Sequence, residues 1–285
     1  MTSASPVDDT PTQALQRTRS APHIAYIDQP AGEGAEGSDP VLLLHGVGSS
    51  SRTWGELLPL MGSRRFIAMD YRGHGASDAP TPPYVMDDFV DDAIRLLDEL
   101  GVSRVHVIGF SIGALFAERL AIREPARVRS LLLLNSIANR SPEALERARA
   151  RAAFIASTPP AEVAPKSAPR WFTPEFLTAR PDLVAGEIAI VEKIAHAPYA
   201  AAYHVLVEND LIDEVKAIRC PTLIITGEND EGSTPAMSEA LHQRIAGSRL
   251  TIVPGVKHYI HIERPQAIAA EWTRFVDQVE ATPAA

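Results

Sequence analysis

Long apolar runs are missing from this chain. No stretch approaches the ~20 residues of a membrane span, so no membrane partner is expected. Cysteine is nearly absent. Cys220 is the single one in 285 residues, which excludes an intrachain disulfide. It stands beside Pro221 at the start of an apolar run and reads as a buried structural thiol. Positive charge is in deficit: 27 Lys and Arg against 36 Asp and Glu give a net charge of −9. A nucleic-acid binder would carry a basic patch or stripe, so that partner class is not expected either. No H-E-x-x-H pair and no G-x-x-x-x-G-K-[ST] loop occurs, so neither a metal nor a phosphate-bearing cofactor is expected. Residues 1–21 lack the apolar core of a secretory signal. Rich in Ser, Thr, Pro and Asp, they read as a disordered N-terminal extension, and the chain as cytoplasmic.

A hydrophobic content of 45% over this length is enough for one large α/β domain. Short β-branched or leucine-rich runs recur: residues 23–28, 41–44, 66–69, 105–108, 128–135, 221–227 and 250–253. Most are continuous apolar runs, as expected of strands covered on both faces. Helical patterns separate them. Residues 87–100 place Val90, Ile94 and Leu97 on one face and Asp91, Asp92 and Asp98 off it, with Gly101 closing the helix. Strand and helix alternate as in a mostly parallel central sheet flanked by helices. Residues 137–212 break this rhythm. They are helical, Ala- and Arg-rich and interrupted by prolines, and read as an inserted helical cap between two parts of one core, 22–136 and 213–285.

The segment Val105–Arg119, VHVIGFSIGALFAER, carries the chemistry. A buried strand runs into Gly109-Phe110-Ser111-Ile112-Gly113 and then directly into a helix. In that context G-x-S-x-G is a nucleophile elbow. The sharp turn strains the serine backbone, and glycines two residues either side make room for it. Ser111 is the candidate nucleophile, and the Ile112 N–H at a helix N-terminus is a candidate oxyanion donor. A bare G-x-S-x-G arises by chance in roughly one chain in ten of this length. The remaining parts therefore decide the matter.

A serine hydroxyl needs a base, and the base an orienting acid. Each should follow a sheet strand, in the order Ser, acid, His. His258 follows the last strand. Asp230 follows the one before it, with Glu228 and Glu231 as competing acids. Val47 follows an early strand and supplies a second oxyanion N–H. His45 and His74 read as braces of their loops. His261 is the competing base.

The motifs HGVG (45–48), DYRGHGASD (70–78), GFSIG (109–113), GENDEGSTP (227–235) and HYIHIERP (258–265) resemble those of the α/β-hydrolases, from about residue 22 to 280. The resemblance implies the α/β-hydrolase fold and a Ser111-His258-Asp230 triad, the base preceding His261. Within that family, residues 69–135, the sequence Arg170-Trp171-Phe172-Thr173 and GENDEGSTP look most like the 3-oxoadipate enol-lactonases. That implies opening of a small carboxylated enol-lactone. Trp54, Arg170, Trp171 and Tyr259 are the candidate substrate contacts, with Arg170 suited to a substrate carboxylate. The elbow departs from these lactonases, reading Ser-Ile-Gly-Ala where they usually have Ser-Met-Gly-Gly. A C–C bond hydrolase of the meta-cleavage type, a cofactor-free haloperoxidase-like activity and a non-catalytic small-ligand receptor use the same fold and stay open.

Overall fold

The computed structural model describes residues 14–281. Its centre is an eight-stranded sheet of order β1-β2-β4-β3-β5-β6-β7-β8. The strands are β1 (Leu15–Arg17), β2 (Ala25–Gln29), β3 (Val41–Leu44), β4 (Phe66–Met69), β5 (Val105–Phe110), β6 (Val128–Leu134), β7 (Thr222–Gly227) and β8 (Arg249–Val253). β1 and β2 pair antiparallel, as do β2 and β4. All other pairs are parallel. β3 and β5 are buried along their whole length; β3 is an unbroken apolar run, and β5 is apolar apart from His106, which bonds to Ser130.

Helices α1 (Met86–Glu99) and α2 (Ile112–Arg123) follow β4 and β5. Between β6 and β7 lie α3 (Pro142–Ser157), α4 (Pro160–Trp171), α5 (Pro174–Ala179), α6 (Pro181–Glu192) and α7 (His196–Glu208). Four of these five helices begin with proline at the first helical position, where its missing N–H costs nothing. α8 (Pro235–Arg244), α9 (Ile260–Glu263) and α10 (Pro265–Ala281) complete the chain. Among the described residues no helix is long and apolar enough to cross a membrane.

Two expectations need correction. The N-terminal extension was expected to be disordered through residue 21, but Leu15–Arg17 pairs with Ala25–Ile27 as the sheet's edge strand. Arg17 is also hydrogen-bonded to Asp78 and the Arg19 N–H donates to Glu99. Residues 1–13 lie outside the described part. Asp92, placed off the buried face of α1, is completely buried. Arg72 donates to both its oxygens, at 2.7 and 2.9 Å, and Arg95 donates a third bond. A bidentate guanidinium removes the reason for a carboxylate to face water. Cys220 is half-buried, and burial pushes its thiol up to about 12, an inert thiol rather than a reactive one.

Candidate active site

β5 ends at Phe110 and α2 begins at Ile112, so Ser111 alone makes the turn. It does so at φ 58° and ψ −118°, a conformation that L-residues rarely adopt. The flanking glycines explain how it persists. A Cβ at Gly109 would lie 2.3 Å from the Gly113 carbonyl oxygen, and one at Gly113 would lie 2.1 Å from that of Leu44. The start of α2 thus sits directly on the ends of β5 and β3. Ser111 is 4% exposed.

The loop after β3 is held by two histidines. His45 donates from Nδ1 to the Gly46 carbonyl and accepts the Tyr71 N–H at Nε2. His74 donates from Nδ1 to the Arg72 carbonyl and accepts the Gly48 N–H at Nε2, 3.1 Å away. Both are buried. Desolvation holds His45 well below its ordinary range and pushes His74 down to about 4, so both are neutral at pH 7. His74 therefore braces the Gly48 turn rather than only its own loop. Neither the Val47 N–H nor the Ile112 N–H is engaged by any hydrogen bond among the described residues. Two free donors beside the serine are what an oxyanion requires.

The structure brings His258 and Asp230 into contact. His258 Nδ1 donates to Asp230 Oδ2 at 2.6 Å. Asp230 also accepts from Asn135 Nδ2 at 2.6 Å and from the backbone N–H groups of Gly232 and Ser233 at 2.8 and 3.0 Å. Burial alone would raise its pKa, but the charge and hydrogen bond of His258, with the Ser233 N–H and Asn135, hold it below the ordinary carboxylate range. Glu228 instead accepts the Gly255 N–H, and Glu231 is exposed. The Phe110 ring lies 4.9 Å from the His258 ring, which sets the histidine beside the elbow. His258 Nε2 and Ser111 Oγ are not hydrogen-bonded to each other in this structure. His258 Nε2 has no partner among the described residues, which leaves it free for a proton transfer.

His261 is elsewhere. It is completely buried, bonded through Nε2 to Thr53 Oγ1 at 2.9 Å, and burial pushes its pKa down to about 3.

The four candidate substrate contacts separate. Trp54 is fully buried in the core, its ring 5.0 Å from that of His261. Arg170 is exposed at the end of α4, and no hydrogen bond or ion pair joins it to the site among the described residues. Trp171 and Tyr259 do come together, with rings 5.2 Å apart. The Trp171 carbonyl accepts the N–H groups of both His258 and Tyr259 at 3.0 Å. This clamp ties the inserted helices to the histidine loop, and Thr173 bonded to Glu263 reinforces it.

The deciding comparison is with known families. A model described as the alpha/beta hydrolase family matches residues 41–271. The chain belongs to the alpha/beta hydrolase family. Its fold, a mostly parallel sheet flanked by helices, is the alpha/beta hydrolase fold. The chain is 31% identical over 237 residues to 3-oxoadipate enol-lactonase 2 of Acinetobacter baylyi, covering 80% of this chain and 85% of that one. Among solved structures, a hydrolase from Pseudomonas aeruginosa superposes with a TM-score of 0.84 at 28% identity, over 93% of this chain and 99% of that one. The enol-lactonase from Burkholderia xenovorans gives 0.82 at 27% identity, over 90% and 96%. This alpha/beta hydrolase is accordingly an enzyme of the hydrolase class.

Sequence reasoning missed Asn135, which stands at the end of β6 with φ 49° and holds Asp230. Its signal was available: an Asn closing an apolar strand is a residue that tolerates the left-handed region. It also missed Glu118, fully buried on α2, accepting from Ser136 Oγ at 2.7 Å with Oε2 unpartnered. Burial, with a smaller contribution from Asp210, pushes Glu118 up to about 8. Its folded pKa thus exceeds the unfolded 4.5. The native state binds the extra proton between these values, so stability is fullest below 4.5 and declines as pH rises to about 8. Glu118→Gln is expected to remove most of that decline, which runs at up to about 1.4 kcal/mol per pH unit. Urea midpoints at acid and alkaline pH measure it, and parallel slopes in variant and wild type would refute the assignment.

Proposed function

We propose that this chain is a cofactor-independent serine hydrolase of small carboxylic esters or lactones. Ser111 Oγ attacks the substrate carbonyl carbon while His258 Nε2 takes the hydroxyl proton. Asp230 fixes His258 with Nδ1 protonated and stabilises the imidazolium as it forms. The tetrahedral oxyanion is held by the N–H groups of Val47 and Ile112. Collapse expels the alcohol, protonated by His258, and leaves an acyl group on Ser111. In a lactone the expelled alcohol remains on the same molecule. Water, deprotonated by His258, then attacks the acyl-enzyme and restores Ser111.

The observation that carries this reading is the 2.6 Å pair of Asp230 and His258 beside a serine at φ 58°. The names of the relatives, enol-lactonases among them, support the ester and lactone class.

The test is turnover of a short-chain p-nitrophenyl ester and an enol-lactone, side by side, with mass spectrometry of the quenched protein. Ser111→Ala is expected to lower kcat by about 10⁴-fold or more on whichever probe is turned over. An acyl adduct should map to the Ser111 peptide in wild type only. Turnover that survives the substitution would sink the reading.

A further inference from the structure

Helix α6 carries one carboxylate in an otherwise apolar stretch, Glu187 in Leu183-Val184-Ala185-Gly186-Glu187-Ile188-Ala189-Ile190. A glutamate there should turn to solvent, yet Glu187 is 6% exposed and its Oε2 has no hydrogen-bond partner. Buried carboxylates are ordinarily paired, because burying the charge alone is costly. No cation is among the groups acting on Glu187. Those groups are the hydroxyls of Thr53 and Ser49, and its charge acts in turn on Tyr259.

The location is telling. Ser49 is two residues beyond Val47, and Tyr259 directly follows His258. Tyr199 of α7 acts on Tyr259 as well, and its ring would lie 3.0 Å from a Cβ at Gly48. Ser49 Oγ is also buried, and it makes no well-formed hydrogen bond with either neighbour. Glu187 Oε2 and Ser49 Oγ thus both lack a well-formed hydrogen bond, in a polar group that Ser49 links to the loop after β3 and Tyr259 to the histidine loop. Fold stability gives no reason to keep them, since an apolar residue in α6 would pack without the desolvation cost. Burial pushes the carboxyl up to about 7, so a second negative charge placed beside it meets repulsion or forces uptake of a proton.

We infer that Glu187, with Ser49 and Tyr259, forms a polar subsite of the active site that accepts a hydrogen bond from a hydroxyl or amide N–H on the substrate's acyl group and rejects an acyl group bearing a carboxylate. This rests on the reading of Ser111 as the nucleophile. It runs against the carboxylated lactone that resemblance to the enol-lactonases implies, and it makes Glu187 a specificity-determining residue.

The probes are the p-nitrophenyl esters of butanoate, 3-hydroxybutanoate and glutarate, matched in leaving group and corrected for spontaneous hydrolysis. Results are read as ratios of kcat/KM, which cancel any general loss in a variant. Wild type is expected to favour 3-hydroxybutanoate over butanoate, and butanoate over glutarate, by about tenfold at each step. Glu187→Gln, isosteric and uncharged, should raise the glutarate-to-butanoate ratio about tenfold while keeping most of the hydroxyl preference. Glu187→Leu should abolish the hydroxyl preference. Unchanged ratios in both variants, or a wild-type preference for glutarate, would overturn the inference. A separate arm measures calorimetric binding of 3-hydroxybutyramide, butyramide and glutarate to wild type and both variants. Turnover that survives Ser111→Ala removes the nucleophile reading, and the binding ratios then decide the subsite alone. Equal affinities for the three ligands, unaltered by either substitution, would remove the subsite too.

Discussion

His258→Ala is expected to lower kcat/KM by about 10⁴-fold or more, with the fold intact, whereas His261→Ala should keep activity within about tenfold and lose stability instead. The two histidines are three residues apart and chemically identical, so their environments must separate them. His258 keeps a partly exposed side chain, a buried carboxylate on Nδ1 and a free Nε2. On the proposed mechanism, removing it deletes the base, the leaving-group acid and the partner of Asp230 together. His261 has no route to a substrate. It is sealed under Phe110, Trp54 and Tyr259, whose rings lie 4.4, 5.0 and 5.6 Å away, and a pKa of about 3 keeps it neutral across the working range. Its imidazole fills core space and bonds to Thr53, so truncation leaves a cavity and deletes a buried hydrogen bond, worth about 2–4 kcal/mol. Ester turnover and urea unfolding of both variants measure the pair. A dead His261→Ala enzyme with native stability, beside an active His258→Ala enzyme, would reverse the assignment.

Gly113→Ala is expected to be among the most damaging single-methyl changes in the molecule, costing at least about 3 kcal/mol or preventing accumulation of folded protein. The added Cβ would stand 2.1 Å from the Leu44 carbonyl oxygen and 2.7 Å from that of His45. Both are backbone atoms at the end of β3, so no rotamer change relieves the clash. The helix must lift from the sheet. That movement also displaces the Ile112 N–H from the Val47 loop, so any protein that folds should lose rate as well. Gly186→Ala is the matched control. Gly186 lies exposed inside α6 with nothing within 4 Å of a Cβ, and alanine there should stabilise by about 0.5–1 kcal/mol. Chemical denaturation of the two variants reads the contrast. If Gly113→Ala unfolds at the wild-type midpoint, the close approach of α2 to β3 is wrong.

By itself the sequence determined whatever depends on local pattern. Continuous apolar runs such as Val41–Leu44 and Phe66–Met69 mark strands covered on both faces, because only burial on both sides removes the need for alternation. The glycines around Ser111 mark a turn that other residues cannot make. The order of Ser111, Asp230 and His258 follows from which loops succeed which strands, and the strand limits fell within about two residues of those observed. Tertiary structure alone decided what depends on partners distant in the chain. Asp92 is buried because Arg72 reaches it, and no periodicity along α1 encodes that. Trp54 and Arg170 read equally well as contacts of a substrate, but one lies in the core and the other in solvent. Leu15–Arg17 is a strand only because Ala25–Ile27 offers an open edge. Glu187 reads as an ordinary surface glutamate until α6 is laid against Ser49 and Tyr259, residues more than seventy positions away on either side. Burial and pairing are properties of the assembled chain, and the chemistry of a carboxylate is set by them rather than by its neighbours in sequence.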